Sequence, residues 1–375
     1  MIAEAHHHAW SRFVSWAVCS TAGLFLALLG GLYLIDPYDT GRSPFSGEPN
    51  LYGQKDVNAT ASVGRSPQFK AAVIGNSTIA LIKPSRLTEL TGLPFAQLSV
   101  PGTLIPEQIT VMDWFMKHHD GTAEALVISI NRDTWCAQDP KRVGENPFPF
   151  WRFSNSPFEY VSGLLSVSSL EQAGRRLGLI RSAKAQSAMD GYWDYEPFYA
   201  EILADSRRRR EGLFKQGNDQ RGYPDGSFPA VQVLEKRLTT LPADVSVVLV
   251  FPPVFSVKQP KPGTPRYTSE QACRQAFTDL VARRPNTAVV DWWLDRPELE
   301  RTDFFIDQIH YRHPIARRME DDIAAALRHL RERASMAFPP RTRASSQARG
   351  ADAGEKGTGI SLSRIECEKP GTGLA

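Results

Sequence analysis

Four short blocks carry residue types suited to acyl transfer: Gly75-Asn76-Ser77, Ser99-Val100-Pro101-Gly102, Asn131-Arg132-Asp133 and Asp307-Gln308-Ile309-His310. The Ser77 hydroxyl is a weak nucleophile until a base takes its proton, and histidine is the usual base. Asp307, three positions before His310, is spaced to hold the imidazole in one tautomer and stabilise its cation. The tetrahedral oxyanion then needs fixed donors. The backbone N–H of Ser77, the N–H of Gly102 and the side-chain amide of Asn131 are groups of the right kind. Elimination points to His310 as the base. His6, His7 and His8 precede a long apolar run, His118 and His119 end a helical pattern, and His329 lies late in another. His313, directly before Pro314, reads as structural or as a support to the site.

The elements that must gather these blocks are short apolar runs alternating with helical periodicity. Residues 69–75 (FKAAVIG), 95–100, 124–130 (EALVISI), 245–251 (VSVVLVF) and 287–292 read as buried strands. Between them lie a short helix or loop at 81–90 and helices at 105–119, 269–284 and 314–333. This alternation predicts an α/β fold, a doubly wound parallel sheet covered on both faces. Ligands of such sheets bind beyond the carboxyl ends of the strands. The first three blocks fall there, and the fourth follows the last strand. The stretch from about 134 to 241, rich in aromatics and helical near 158–179 and 195–214, reads as a long insertion.

In this order the blocks resemble the SGNH/GDSL hydrolase superfamily, whose pattern is a Gly-Asp-Ser-like turn, a Gly loop, an Asn loop and a late Asp-x-x-His. The resemblance covers about residues 69–333 and implies the flavodoxin-like SGNH fold. It implies Ser77 as nucleophile, His310 and Asp307 as its partners, and Ser77, Gly102 and Asn131 around the oxyanion. With a membrane anchor, the chain is similar to the alginate O-acetyltransferase-like branch, which modifies exported polysaccharides. The implied activity is that of a serine esterase or O-acyltransferase working through an acyl-enzyme, with no metal or organic cofactor.

Two departures keep a rival open. Asn76 stands where the pattern has aspartate, and the third block reads Ser-Ile-Asn-Arg-Asp rather than Gly-x-Asn-Asp. The rival is a non-catalytic SGNH-like scaffold or accessory protein of an envelope polysaccharide system. Ser77 lacks the second glycine of the G-x-S-x-G elbow, which argues against the α/β-hydrolase family. No Walker or G-x-G-x-x-G loop follows a strand, which argues against nucleotide binding.

Three residues are candidates for substrate binding. Arg132 could meet a substrate anion, against the plainer reading of an ion pair with Asp133 or another acid. Trp151 and Trp193 could stack on a sugar, against the plainer reading of packing within the insertion. Arg207–Arg210 reads as a solvated helix face.

Residues 13–35 carry no charge. About 20 apolar residues in a helix match a hydrocarbon core of about 30 Å. A cleavable signal peptide is the alternative, but its apolar core is usually shorter and no A-x-A-like site follows. Arg12 and three histidines precede the span, whereas Asp36 and Asp39 follow it. The positive-inside bias leaves residues 1–12 in the cytoplasm and the large domain outside, periplasmic in a bacterial inner membrane. In that compartment Cys136 and Cys273 could pair, although free buried thiols fit the sequence equally. Residues 36–68 read as a linker on the domain surface, and 334–375, which turn to Arg, Ser, Gly and Ala without periodicity, as a disordered tail.

Composition sets the outer limits. With 44 basic against 41 acidic residues in 375, the net charge of +3 gives no support to nucleic-acid binding. A mean hydropathy of −0.32 excludes a polytopic membrane protein. The four cysteines lack the spacing of a zinc ribbon or a C-x-x-C motif.

Overall fold

The strongest apolar runs become the central sheet. In the computed structural model, residues 2–47, 49, 57–137, 139–180, 187–215, 220–223 and 226–337 are described. The chain opens with α1 (Ile2–Ile35) and α2 (Val57–Arg65), then β1 (Ala71–Ile74), α3 (Pro84–Thr91), β2 (Phe95–Gln97), α4 (Ile105–His118) and β3 (Ala125–Ser129). A long connection holds α5 (Arg132–Trp135), α6 (Phe150–Phe153), α7 (Pro157–Gly163), α8 (Val167–Arg176), α9 (Ala200–Ala204), α10 (Ser206–Leu213) and α11 (Pro229–Leu238). Next come β4 (Ser246–Phe251), α12 (Pro265–Arg283), β5 (Thr287–Asp291) and α13 (His313–Ala337).

All strand pairs are parallel, in the order β2-β1-β3-β4-β5. Alternate strand residues face opposite ways, so each strand feeds two cores. Ala72 and Ile74 pack with residues of α2, α4, α11 and α12, whereas Ala71 and Val73 pack with residues of α3 and α13. The near-continuous apolar strands follow from this covering on both faces. The winding direction reverses between β1 and β3, the place where such sheets open a crevice at their carboxyl ends.

Four boundaries of the sequence reading change. The described residues of the 36–68 stretch, 36–47, 49 and 57–68, are more than a surface linker. Asp36 and Asp39 are fully buried, and α2 packs on α4, where Trp114 Nε1–H donates to the Ala61 carbonyl (2.9 Å). Paired polar side chains hide this segment's burial from a composition count. The excursion between β3 and β4 ends before 241, because Ala230, Val231, Leu234 and Leu238 of α11 join the core of the sheet. α13 continues to Ala337, and the rest of the tail lies outside the described residues. The α1 backbone is helical back to Ile2, so residues 2–12 continue the apolar helix. Its segment Trp10–Ile35 is long and apolar enough to cross a membrane.

Cys136, just after α5, and Cys273 of α12 are disulfide-bonded with Cα atoms 5.9 Å apart. The bond closes a loop of 137 residues and ties the end of the third block to the outer layer.

Candidate active site

β1 and β3 are neighbours with Ile74 opposite Ile128. Ser77 and Asn131 each lie three residues beyond that pair, so parallel strands about 4.8 Å apart deliver both to the same end of the sheet. Gly75 has no room for a side chain. An added Cβ would lie 2.6 Å from Ser129 Cβ and 2.9 Å from Ile79 Cγ2. This close approach lets the chain turn sharply into the single helical turn Ser77–Ile79.

Asn76 organises that turn. Its Oδ1 accepts from the Thr78 N–H (3.1 Å) and the Thr78 hydroxyl (2.8 Å), and its Nδ2 donates to the Thr103 carbonyl (3.5 Å). An ionised aspartate could not make the last, long bond. The turn Val100–Thr103 has Pro101-Gly102 at its centre, with Gly102 at φ 75°, and closes through Thr103 N–H to Val100 O (3.3 Å). Proline followed by a left-handed glycine is the signature of a type II turn. Val100 N–H to Gly75 O (3.0 Å) and Thr103 Oγ1 to the same carbonyl (3.5 Å) lash it to the Ser77 turn. Gln97 of β2 adds a brace that sequence reasoning missed. Its Nε2 donates to the Ile82 carbonyl (2.9 Å), just past the Ser77 turn.

The fourth block reaches the same rim. Asp307 Oδ1 accepts from the N–H groups of Ile309 (2.9 Å) and His310 (2.8 Å). Its Oδ2 lies 2.7 Å from His310 Nδ1, and His310 Nε2 lies 3.0 Å from Ser77 Oγ. With Nδ1–H donating to Asp307, Nε2 is left to accept from the hydroxyl. Residues 233 positions apart thus meet at hydrogen-bonding distance. Burial alone would raise the Asp307 carboxyl. The His310 hydrogen bond, the imidazole charge and the two backbone N–H groups outweigh it and hold the carboxyl below its ordinary value.

Asn131 caps α5, its Oδ1 accepting from the N–H groups of Asp133 (3.0 Å) and Thr134 (3.2 Å). This use of the oxygen leaves Nδ2 as the donor end. Ser77 opens its helical turn, where no preceding turn exists to accept from its N–H. The arrangement therefore has a hydroxyl, a base with its orienting carboxylate, and N–H groups at the carboxyl ends of adjacent strands. Chemically it can activate a hydroxyl against an electrophilic carbonyl.

Sequence reasoning missed the wall around the imidazole. The Tyr195 and Tyr199 rings lie 5.8 and 6.4 Å from that of His310. Tyr195 is buried and donates its hydroxyl to the Tyr311 carbonyl (2.8 Å). Burial, then Tyr311 and the Asp307 carboxylate, push its phenol well up, so it stays a donor. Glu196 fixes this segment to the start of α13, accepting from Arg312 (3.0 Å) and from the His313 N–H (2.6 Å). His313 is thus a support, as its position before Pro314 suggests. The only sequence signal for the wall is the aromatic density around residue 195.

The three candidate binding residues separate. Arg132 is buried and paired with Glu270 at 2.9 Å, with its guanidinium 5.0 Å from the Trp293 ring centroid. Both partners are 2% exposed, so the substrate-anion reading gives way to a buried ion pair. Asp133 pairs instead with Arg266 (2.6 Å). Trp151 belongs to the cluster around the end of α1, its ring 5.3 Å from Tyr38 and 5.8 Å from Tyr160, which corrects its reading as a sugar platform. Trp193 packs against Tyr195 and Phe198 (6.4 Å each), beside the wall of the site.

No family model matches the chain, and no curated protein matches its sequence.

Proposed function

We propose that this chain is a membrane-anchored serine esterase or O-acyltransferase of SGNH type, acting on an exported carbohydrate or another envelope substrate. One observation carries the reading: Ser77 Oγ, His310 and Asp307 stand in line at 3.0 and 2.7 Å. The strand order, with Ser77 and Asn131 at adjacent strand ends, agrees with the flavodoxin-like SGNH fold.

In the proposed reaction Ser77 Oγ attacks an acyl carbonyl while His310 Nε2 takes its proton. The N–H groups of Ser77 and Gly102 and the Asn131 amide receive the oxyanion, each donor being worth about 2.7–4 kcal/mol of barrier. Asp307 stabilises the imidazolium, which returns the proton to the leaving oxygen. Water or a sugar hydroxyl, deprotonated by the same nitrogen, then takes the acyl group from Ser77. Trp193, Phe198 and Tyr199 offer aromatic faces for a sugar beside that nitrogen.

The compartment follows from two supports. A Cys136–Cys273 disulfide suits an oxidising space, and Arg12 before the span favours a cytoplasmic N-terminus. Together they favour a single-pass inner-membrane protein with a periplasmic domain, a setting in which an envelope protein complex is a natural partner.

The test is turnover of an activated aryl acetate by the full-length protein in detergent, with mass spectrometry of the trapped acyl-enzyme. Ser77→Ala should abolish the acetyl adduct and lower turnover by about 10⁴–10⁶-fold. Equal inactivity of wild type and variant would favour the non-catalytic scaffold.

A further inference from the structure

Every residue of α1 from Trp10 to Leu28 is exposed, and contact with the rest of the chain begins at Leu29. Those 19 residues, at about 1.5 Å each, extend about 28 Å, close to the hydrocarbon thickness of about 30 Å. Leu32 is four residues further on, about 6 Å above that level. There it is buried against Tyr38, Tyr160, Leu164 and Ala173, so α7 and α8 clasp the helix at this height. The headgroup layer is about 5–7 Å deep on each side, and a helix with its side chains is about 10 Å across. α7 and α8 therefore cannot stand clear of it.

The residues that this region exposes suit such a place. α8 turns Ser169 and Ala173 inward, where Tyr38 Oη lies 3.3 Å from Ser169 Oγ. Beside that stripe Val167, Leu170 and Leu177 follow one another at three and seven residues and point outward. Val167 is 82% exposed, Phe158 of α7 is 80% exposed and Leu179 is 79% exposed. Among the described residues of α8 the cations are engaged within the protein, Arg175 with Glu171 (2.6 Å) and Arg176 with Asp39 (3.0 Å).

We infer that the face formed by Phe158, Leu165, Val167, Leu170, Leu177 and Leu179 is a second membrane contact, inserted at the headgroup–acyl boundary of the leaflet from which α1 emerges. It rests on the reading of α1 as a membrane span. Because its side chains are apolar and Arg175 and Arg176 beside it are paired, insertion proceeds without anionic lipid. Amphipathic helices with one apolar face bind bilayers in this manner.

The experiment uses the full-length protein reconstituted into vesicles of phosphatidylcholine alone, and of phosphatidylcholine with phosphatidylglycerol. An environment-sensitive fluorophore is placed on V167C or L179C, with Cys19 and Cys367 replaced by serine and the Cys136–Cys273 disulfide intact. Asp279→Cys on the exposed side of α12 provides the reference. A separate sample, carrying only Cys367→Ser, is labelled at Cys19 within α1. Lipids spin-labelled near the headgroup should quench positions 167 and 179 at least threefold more than position 279, equally in both compositions. Deep-labelled lipids should quench Cys19. Quenching at Cys19, with 167 and 179 no different from 279, would overturn the inference and leave the anchor standing. No quenching at any position would remove the anchor and the inference with it. Energy transfer between labelled copies without lipid quenching would assign the face to a second copy and overturn the inference.

Discussion

Asp36 and Asp307 are both carboxylates gripped by the backbone just downstream of them. Asp36 accepts from the N–H of Thr40 (3.0 Å) and of Gly41 (2.7 Å), and Asp307 from the N–H of Ile309 and of His310. Their remaining partners differ. Asp36 takes three hydroxyl groups, from Thr40 (2.8 Å), Ser46 (3.1 Å) and Tyr160 (2.6 Å), and is fully buried. Asp307 takes one imidazole, keeps 42% of its side chain exposed, and passes its influence through that ring to a hydroxyl. A carboxylate saturated by fixed donors has only stability to give. One whose imidazole partner reaches a hydroxyl at the sheet rim is arranged for the proposed reaction. The first stands where the apolar helix α1 enters the domain, the second at the sheet rim.

The sharpest way to break this comparison is to replace each carboxylate by its amide. Asp307→Asn keeps the shape but withdraws the charge that stabilises the imidazolium, and it favours the wrong tautomer. On the proposed reaction kcat for an aryl acetate should fall about 10⁴-fold, with the thermal midpoint lowered only slightly. A variant that keeps wild-type turnover would remove Asp307 from the chemistry. Asp36→Asn should behave in the opposite sense. Asn tolerates the left-handed backbone at this position, φ 47°, so strain does not confuse the result. The amide nitrogen would face donors, and bonds to a charged acceptor, each worth about 1.5–3 kcal/mol, would be lost. Denaturant unfolding should show a loss of about 2–4 kcal/mol, with turnover per folded molecule unchanged. A loss of turnover without a loss of stability would erase the distinction.

The two sites also differ in how far the sequence exposes them. The rim was legible because Ser77, Gly102 and Asn131 follow strong apolar runs, so the order of the elements alone places them together. Asp307 and His310 carry their own short-range geometry, three residues apart. The hub around Asp36 was not legible. Asp36-Pro37-Tyr38-Asp39 has the composition of a turn, and its burial depends on Arg65, Tyr160 and Arg176, far along the chain. The plainer reading of Arg132 as an ion pair holds, but its partner was hidden for the same reason, since Glu270 is 138 residues away and adjacent Asp133 turns elsewhere. The two tryptophans looked alike in sequence, yet Trp151 packs at the end of α1 and Trp193 beside the rim. α11 lacked a visible start, because Phe228 before it takes a left-handed conformation, φ 46°, that its residue type does not announce.

The smallest expected effect is the pH dependence of the Asp307 contribution. Its carboxyl is held below the ordinary value in the folded chain, whereas unfolding returns it to about 3.9. Above that unfolded value both states are ionised, and the stabilisation is fully present. As the pH falls below about 4, the unfolded chain takes up the proton first, and the contribution drains away until the folded carboxyl titrates too. Unfolding curves of wild type and Asp307→Asn should therefore run at a constant separation from neutral pH to about 5. They should converge below about 4. A separation that closes already near pH 6 would mean that the carboxyl is raised, and so that the hydrogen bonds from His310 and the two N–H groups do not outweigh its burial. No comparable convergence should appear when Thr88→Ala is the comparison, because that hydroxyl bonds only backbone groups, the Pro84 carbonyl and the Phe95 N–H, and carries no titrating group.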